Sequence, residues 1–503
     1  MNHQLLLSAL VLVPFAAGII SQIFSTPGRM LYTSTFGVLI TAVIGCFTLH
    51  ETYLNGSIFG FSKWLFMDAL SAYHLSVLLI IYVLSSLFSL RYFDHELKEK
   101  NFRLVQARLF AGLWSPSLGA MILVLVSNNM GIMWVAMETT TLMTTFLICI
   151  HLTRDSLEAM WKYLLICSVG IAFAFMGTLL LRLSAKDLGL NPNEALLWTN
   201  LLANAKSLVP ALVKAAFIFA IVGYGTKAGL APMHTWLPDA HSKAPAPVSA
   251  VFSGFMLNTA LYCIMRFIPI TETATGGTGW SLRFLIGFGL FSITLSSAFI
   301  LYQHDLKRLL AYCSLEHLGI IALGIGIGDG GTFAALFHTF NHSLCKSLSF
   351  FAAGRLGQIY QTHDMEKMTG SIRVSPVWGI GIFASILALI GLPPFSIFMS
   401  EFQLLKAAVD KGQIGVVILF ILGTGIVFTS VLKHILPIAW GEPTEKKSHS
   451  PDLFSSSIID IFLVVVPLAT LVVLGIWMPE PFQAILTRSA GIIQNVQIIG
   501  SFK

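Results

Sequence analysis

Charge is what this sequence has least of. Only 11% of its 503 residues are Asp, Glu, Lys or Arg, while 55% are hydrophobic and the mean hydropathy is +0.80. A soluble domain carries about a quarter charged residues, so a water-soluble fold is excluded. The length implies one large helical bundle in a membrane, not a string of globular domains. CxxC spacing is also missing. The six cysteines (Cys46, Cys149, Cys167, Cys263, Cys313 and Cys345) stand singly in apolar stretches, which argues against an iron–sulfur or structural zinc site and reads as small buried hydrophobes. No GxGxxG, P-loop or flavin fingerprint opens a strand–helix unit, so no cofactor is expected in this chain. Met1 to Ile20 lacks a basic n-region, and no cleavable signal is expected. No stretch alternates with period two for long enough to build a barrel, so the expected class is all-α. The net charge of +6 is not a nucleic-acid signature, because Lys and Arg gather between the apolar runs, where membrane topology explains them.

What is present is a series of apolar runs of about 20 residues, the length that spans a bilayer as a helix. Fourteen are predicted: 4–22, 31–50, 68–90, 107–127, 130–151, 159–182, 208–230, 247–268, 284–303, 308–328, 331–356, 374–396, 413–436 and 456–478. Connections after odd-numbered spans hold most of the Lys and Arg, including Arg91, Lys98, Lys100, Arg103 and Arg108. The positive-inside rule places them in the cytoplasm and both termini outside. The tail after Pro481 is too short and polar to span again, and 93–106 reads as a mixed-charge cytoplasmic loop.

Residues 221–258 organise the rest. The seventh span carries Lys227 and then meets Gly229 and Pro232. Proline removes an amide donor and clashes with the preceding turn, so the helix breaks there. At bilayer depth such a break is tolerated only inside protein or beside water. The twelfth span repeats the device with Gly391, Pro393 and Pro394, followed by Glu401. Matching interruptions in two halves of a membrane chain point to an internal repeat and to its binding sites.

Ionisable residues at bilayer depth cost at least about 2.5–3.5 kcal/mol each and need a partner or water. Glu138 lies in the fifth span, Lys227 at the break of the seventh, Glu316 and His317 in the tenth, and His338, His342 and Lys346 in the eleventh. The last three recur at i, i+4 and i+8, along one helical face. His-x3-His is a possible metal pair. A lysine one turn on would repel the ion and no carboxylate lies nearby in sequence, so no metal is expected. Together with Glu401 these residues form a set suited to a hydrated proton relay: burial disfavours a charged side chain, an opposite charge nearby restores it, and histidine exchanges protons near neutrality. Asp239 and His241, beyond the first break, read as structural parts of an amphipathic connector. Lys307 and Arg308 read as set by topology, with Lys307 and Asp239 kept as secondary candidates for the relay.

At these residues the sequence resembles the antiporter-like, proton-translocating subunits of respiratory complex I and its relatives. The segments KAGLAPMHTWLPDAHSKAPAPVSA (227–250), HDLKRLLAYCSLEHLG (304–319), FHTFNHSLCKSLSF (337–350) and GLPPFSIFMSEF (391–402) carry the match. Within that family, SNNMGIMWVAMETTTL with WKYLLICSVG (127–170) and the SLEHLG segment are most similar to the F subunit of hydrogenase-4, a formate-hydrogenlyase-type complex. The resemblance implies fourteen helices: N-terminal helices 1–3 over 1–106, inverted five-helix repeats over 107–268 and 284–436 with helices 7 and 12 broken, and a last helix and tail over 456–503. It implies that Glu138 and Lys227 form a modulating ion pair, that His338, His342 and Lys346 continue the relay, and that Glu401 ends it. Many members place a lysine in the eighth helix; here the nearest position is Asn258, which can hold water but cannot store a proton. The function implied is proton translocation through a Glu/Lys/His relay in a multi-subunit oxidoreductase of a bacterial inner membrane. Its partners would be other membrane subunits, peripheral iron–sulfur and hydrogenase-type subunits, and the lipid bilayer. The same fold also serves cation/proton antiporters and ion-driven uptake of inorganic carbon, and a non-pumping structural subunit is the third alternative.

Overall fold

The computed structural model describes residues 3–189, 191, 193–443 and 457–495. Residue 456 of the last predicted span and residues 496–503 of the tail lie outside the described residues.

The chain begins with α1 (His3–Ser21) and α2 (Pro27–Asn55). A hairpin of β1 (Ile58–Gly60) and β2 (Leu65–Met67) then pairs antiparallel with Phe59 opposite Phe66. Next come α3 (Ala69–Lys98), α4 (Leu104–Val126), α5 (Met130–Ile148) and α6 (Arg154–Ser184). The short α7 (Trp198–Ala203) leads to α8 (Pro210–Ala228), which ends at the first break, and α9 (Trp236–Lys243) follows. A π-turn at Phe252–Met256 joins α10 (Ala246–Val251) to α11 (Leu257–Ala274). Then come α12 (Trp280–Ile300), α13 (Leu306–Ile327), α14 (Gly330–Tyr360), the short α15 (Ser371–Val374), and α16 (Pro376–Leu389), which ends at the second break. The chain continues through α17 (Ser396–Asp410), α18 (Ile414–Trp440), α19 (Ile458–Ile476) and α20 (Glu480–Ile493).

Every predicted apolar run falls on a helix. Twelve helices among the described residues are long and apolar enough to cross a membrane. The two further predicted runs are α14, whose interior carries His338, His342 and Lys346, and α16, which stops after 14 residues at the break. The helix starts are written in the sequence. Asp68, Asn129 and Asp305 cap α3, α5 and α13 by accepting from backbone amides two or three residues on, and Thr153 and Ser156 close a capping box on α6.

The helices form two ranks. α10–α11 and α13 are wholly enclosed, and α14 lies against α3, α10, α13, α16, α17, α19 and α20. The outer helices turn large apolar side chains outward, among them Phe36, Phe47, Leu165, Val169, Ile421 and Val465. An apolar exterior around a polar-lined interior suits a lipid surround, and the chain is an integral membrane protein.

The fold is all-α as expected, with one short hairpin at 58–67. Three expectations are corrected. Cys46 is exposed, because it shares the outward face of α2 with Val43 and Phe47. The 93–106 loop shrinks to a few residues because α3 runs on to Lys98. The twelfth span does not end at 396: the chain breaks at Gly391 and a second half-helix runs to Asp410.

Candidate functional site

Both breaks begin with a glycine in the left-handed region, Gly229 (φ 75°) and Gly391 (φ 71°), where a side chain costs about 1–2 kcal/mol. Pro232 and Pro394 follow in cis peptides. The first break ends α8 inside the protein, where Lys227 is fully buried. Its Nζ donates to Thr141 Oγ1 at 3.0 Å and to the Tyr163 hydroxyl, and lies 4.6 Å from the centre of the Tyr163 ring. Tyr163 in turn bonds Thr144 Oγ1 at 2.6 Å. Glu138 sits one turn from Thr141 on α5. It accepts from Ser168 Oγ at 2.8 Å, and its Oε2 is buried without a partner. Glu138 and Lys227 therefore do not touch in this state. Hydroxyls of α5 and α6 hold the ammonium instead, while the carboxylate waits alongside.

The second cluster gathers around α14. His317 Nδ1 and His338 Nε2 are 2.9 Å apart, and His338 Nδ1 is 2.9 Å from Ser400 Oγ. The His342 ring lies 5.1 Å from the His317 ring, with both its nitrogens unpartnered. Lys346 donates to the Leu310 carbonyl at 2.5 Å. Glu316 interacts electrostatically with both Glu401 and Lys346. Glu401 lies against the second break: a Cβ placed on Gly391 would stand 2.5 Å from its Oε2. Gly391→Ala is thus expected to displace the carboxylate and to lower the thermal midpoint of the purified protein. Unchanged proton flux and midpoint would contradict this placement.

Between the clusters lie two residues. Asn258, two residues past the π-turn, donates to the Gly254 carbonyl (3.2 Å) and Ser343 Oγ (3.1 Å), and its Oδ1 is buried without a partner. His241, buried on α9, stacks on Phe350 with centroids 5.3 Å apart. Both its nitrogens are unpartnered, and it is within electrostatic reach of Lys346 and His342.

The remaining sequence candidates take up packing roles. Asp239 pairs with Lys162 at 2.9 Å and with Arg308, tying α9 to α6 and α13. Burial works against its charge, but these two cations outweigh burial and hold its carboxyl below the usual carboxylate range. Lys307 is buried, unlike a residue set by topology alone, and donates to the Ala244 and Ser242 carbonyls at the end of α9. Tyr163, Ser168 and Ser400 went unrecognised in the sequence, where an uncharged side chain in an apolar helix gives no signal.

Residues 127–429 match the family described as "NADH:quinone oxidoreductase/Mrp antiporter, TM", a segment that contains every residue of both clusters. The hydrogenase-4 component F homolog of Methylacidiphilum infernorum (isolate V4) is 36% identical over 448 residues, 89% of this chain and 92% of that one. Among solved structures, a chain of the membrane-bound sulfane sulfur reductase, an archaeal respiratory membrane complex, superposes with a TM-score of 0.84 at 22% identity, over 98% of each chain. A chain of the Mrp complex from Dietzia sp. DQ12-45-1b gives 0.82 at 19% identity, over 99% of this chain and 98% of that one. Those two likenesses concern the fold; the family match and the curated relative concern descent, and by them this chain belongs to the NADH:quinone oxidoreductase/Mrp antiporter transmembrane family.

Proposed function

We propose that this chain is the proton-translocating membrane subunit of a hydrogenase-4-like oxidoreductase complex. The observation that carries the reading is the line of titratable side chains in which Lys227, His241, Lys346, His342, His317 and His338 are buried and the half-buried Glu138 and Glu401 stand at the two ends. Packing alone gives no reason to enclose so many ionisable groups, several with orphaned atoms, since each unpaired buried polar atom costs about 1–3 kcal/mol.

Movement of Glu138 toward Lys227 would favour the ammonium, and its withdrawal would favour release of a proton toward His241. Water beside Asn258 and Ser343 would bridge the gap that a lysine fills in other members. The three histidines pass the proton on and Glu401 delivers it at the second break. Membrane voltage contributes about 2.3 kcal/mol per charge per 100 mV. The matched breaks support repeats over 107–268 and 284–436. We assign redox centres to iron–sulfur and hydrogenase-type partner subunits, and place the chain in a bacterial inner membrane with its termini outside.

Mass spectrometry of the complex purified through a tag on this chain tests the assignment. Co-purifying nickel–iron hydrogenase and iron–sulfur subunits are expected. Recovery of only antiporter-type or carbon-uptake partners would overturn the oxidoreductase assignment.

A further inference from the structure

We propose that His317, His338 and Glu401 form a binding site for a divalent transition-metal ion of the zinc class. One ligand atom from each lies within 4.8 Å of the others, although they come from α13, α14 and α17. Two imidazoles and a carboxylate with an open fourth position are a donor set that zinc accepts. Tetrahedral coordination at about 2.0–2.1 Å sets ligand atoms about 3.3 Å apart. The His317–His338 separation of 2.9 Å needs only to open slightly, and the Glu401 carboxylate to close in.

Three further features mark the site as built for an ion. His338 holds Ser400 Oγ with its other ring nitrogen, the kind of outer contact that fixes the ring of a metal-bound histidine. His317 is buried and its Nε2 has no partner. An ion replacing the proton shared by the two rings can therefore leave that proton on Nε2, while Glu401 binds as the carboxylate and any proton it carries is released. Glu401, the one ligand not fully enclosed, lines a mostly apolar, outward-facing cavity of about 270 Å³ with Gly391, Phe398, Phe402 and Thr424, so its carboxylate is the ligand free to move.

Two obstacles weighed against a metal on the sequence alone, and both are answered here. The carboxylate is supplied across the helix interface. The ligand on α14 is His338, eight residues and about 12 Å along the axis from Lys346; the ammonium, hydrogen-bonded to the Leu310 carbonyl, still acts electrostatically on His317, and the Glu401 carboxylate supplies the opposing charge. The metal sits on the last groups of the proposed relay, so a bound ion would also stop proton passage. That consequence rests on the proposed function; binding itself does not.

The test uses the intact complex, stripped with chelator and titrated with Zn²⁺, reading bound zinc after gel filtration. Wild type is expected to retain one more saturable zinc per copy of this chain than either Glu401→Gln or His317→Ala. Ser400→Ala should weaken binding about tenfold or more. Glu401→Gln is nearly isosteric, so it keeps the test valid if His317→Ala fails to fold. Equal zinc on wild type and Glu401→Gln, or none on either, overturns the site. Zinc bound without loss of proton flux would preserve the site and count against the relay's passage through it.

Discussion

Asp68→Ala is expected to destabilise the protein by about 3–5 kcal/mol, the usual cost of leaving one member of a buried ion pair behind. Arg266 on α11 meets both oxygens of Asp68 at 2.7 Å, with side-chain exposures of 5% and 8%. It also donates to Ser71 Oγ and the Tyr262 hydroxyl and lies 4.5 Å from the Trp198 ring. Asp68 caps α3 by accepting from the Ser71 amide at 2.9 Å, so one carboxylate ties the start of α3 to the middle of α11 and, through Arg266, to Trp198 at the start of α7. Removing it strands a guanidinium in a closed site. Thermal unfolding of the detergent-solubilised protein should show a large fall in midpoint, and replacing both partners with apolar residues should recover much of it. An unchanged midpoint for Asp68→Ala would mean that the pair is solvated.

His241→Phe should lower proton flux about tenfold or more, equivalent to at least about 1.4 kcal/mol in the barrier, and leave assembly intact. Phenylalanine keeps the ring that stacks on Phe350 and removes two nitrogens that bond nothing. A purely structural histidine at this position should therefore be replaceable at no cost, or with a gain in stability. Only a residue that carries protons between the Lys227 cluster and the α14 cluster should be missed. Flux in reconstituted vesicles separates the cases, and wild-type flux in His241→Phe would remove His241 from the path.

The features legible in the sequence were those fixed by local chemistry. The spans followed from the length of apolar runs, and the breaks from Gly229 with Pro232 and Gly391 with Pro394. Glu138, Lys227, His338 and Glu401 stood out because ionisable groups are costly at bilayer depth. What stayed hidden was made by contacts between distant segments. Nothing near His338 in the chain announces that His317 and Glu401 close on it. Asp68 and Arg266 lie near span ends, where charges are ordinary, and their pairing spans 198 positions. His241 read as a connector residue because α9 is amphipathic in sequence, yet packing against Phe350 encloses it. Lys227 donates its hydrogen bonds to Thr141 and Tyr163, while Glu138 acts on it through space without a direct bond, an arrangement no feature of the sequence announces.

The most direct test of proton transfer through Lys227 is turnover-driven proton movement in vesicles that carry the purified complex, wild type against Lys227→Met, followed with a pH-sensitive dye. Methionine keeps most of the volume and removes the titratable group. Proton movement is predicted to fall about tenfold or more while the mutant complex assembles with its full set of subunits. An assembled Lys227→Met complex that moves protons at the wild-type rate would contradict a path through this residue.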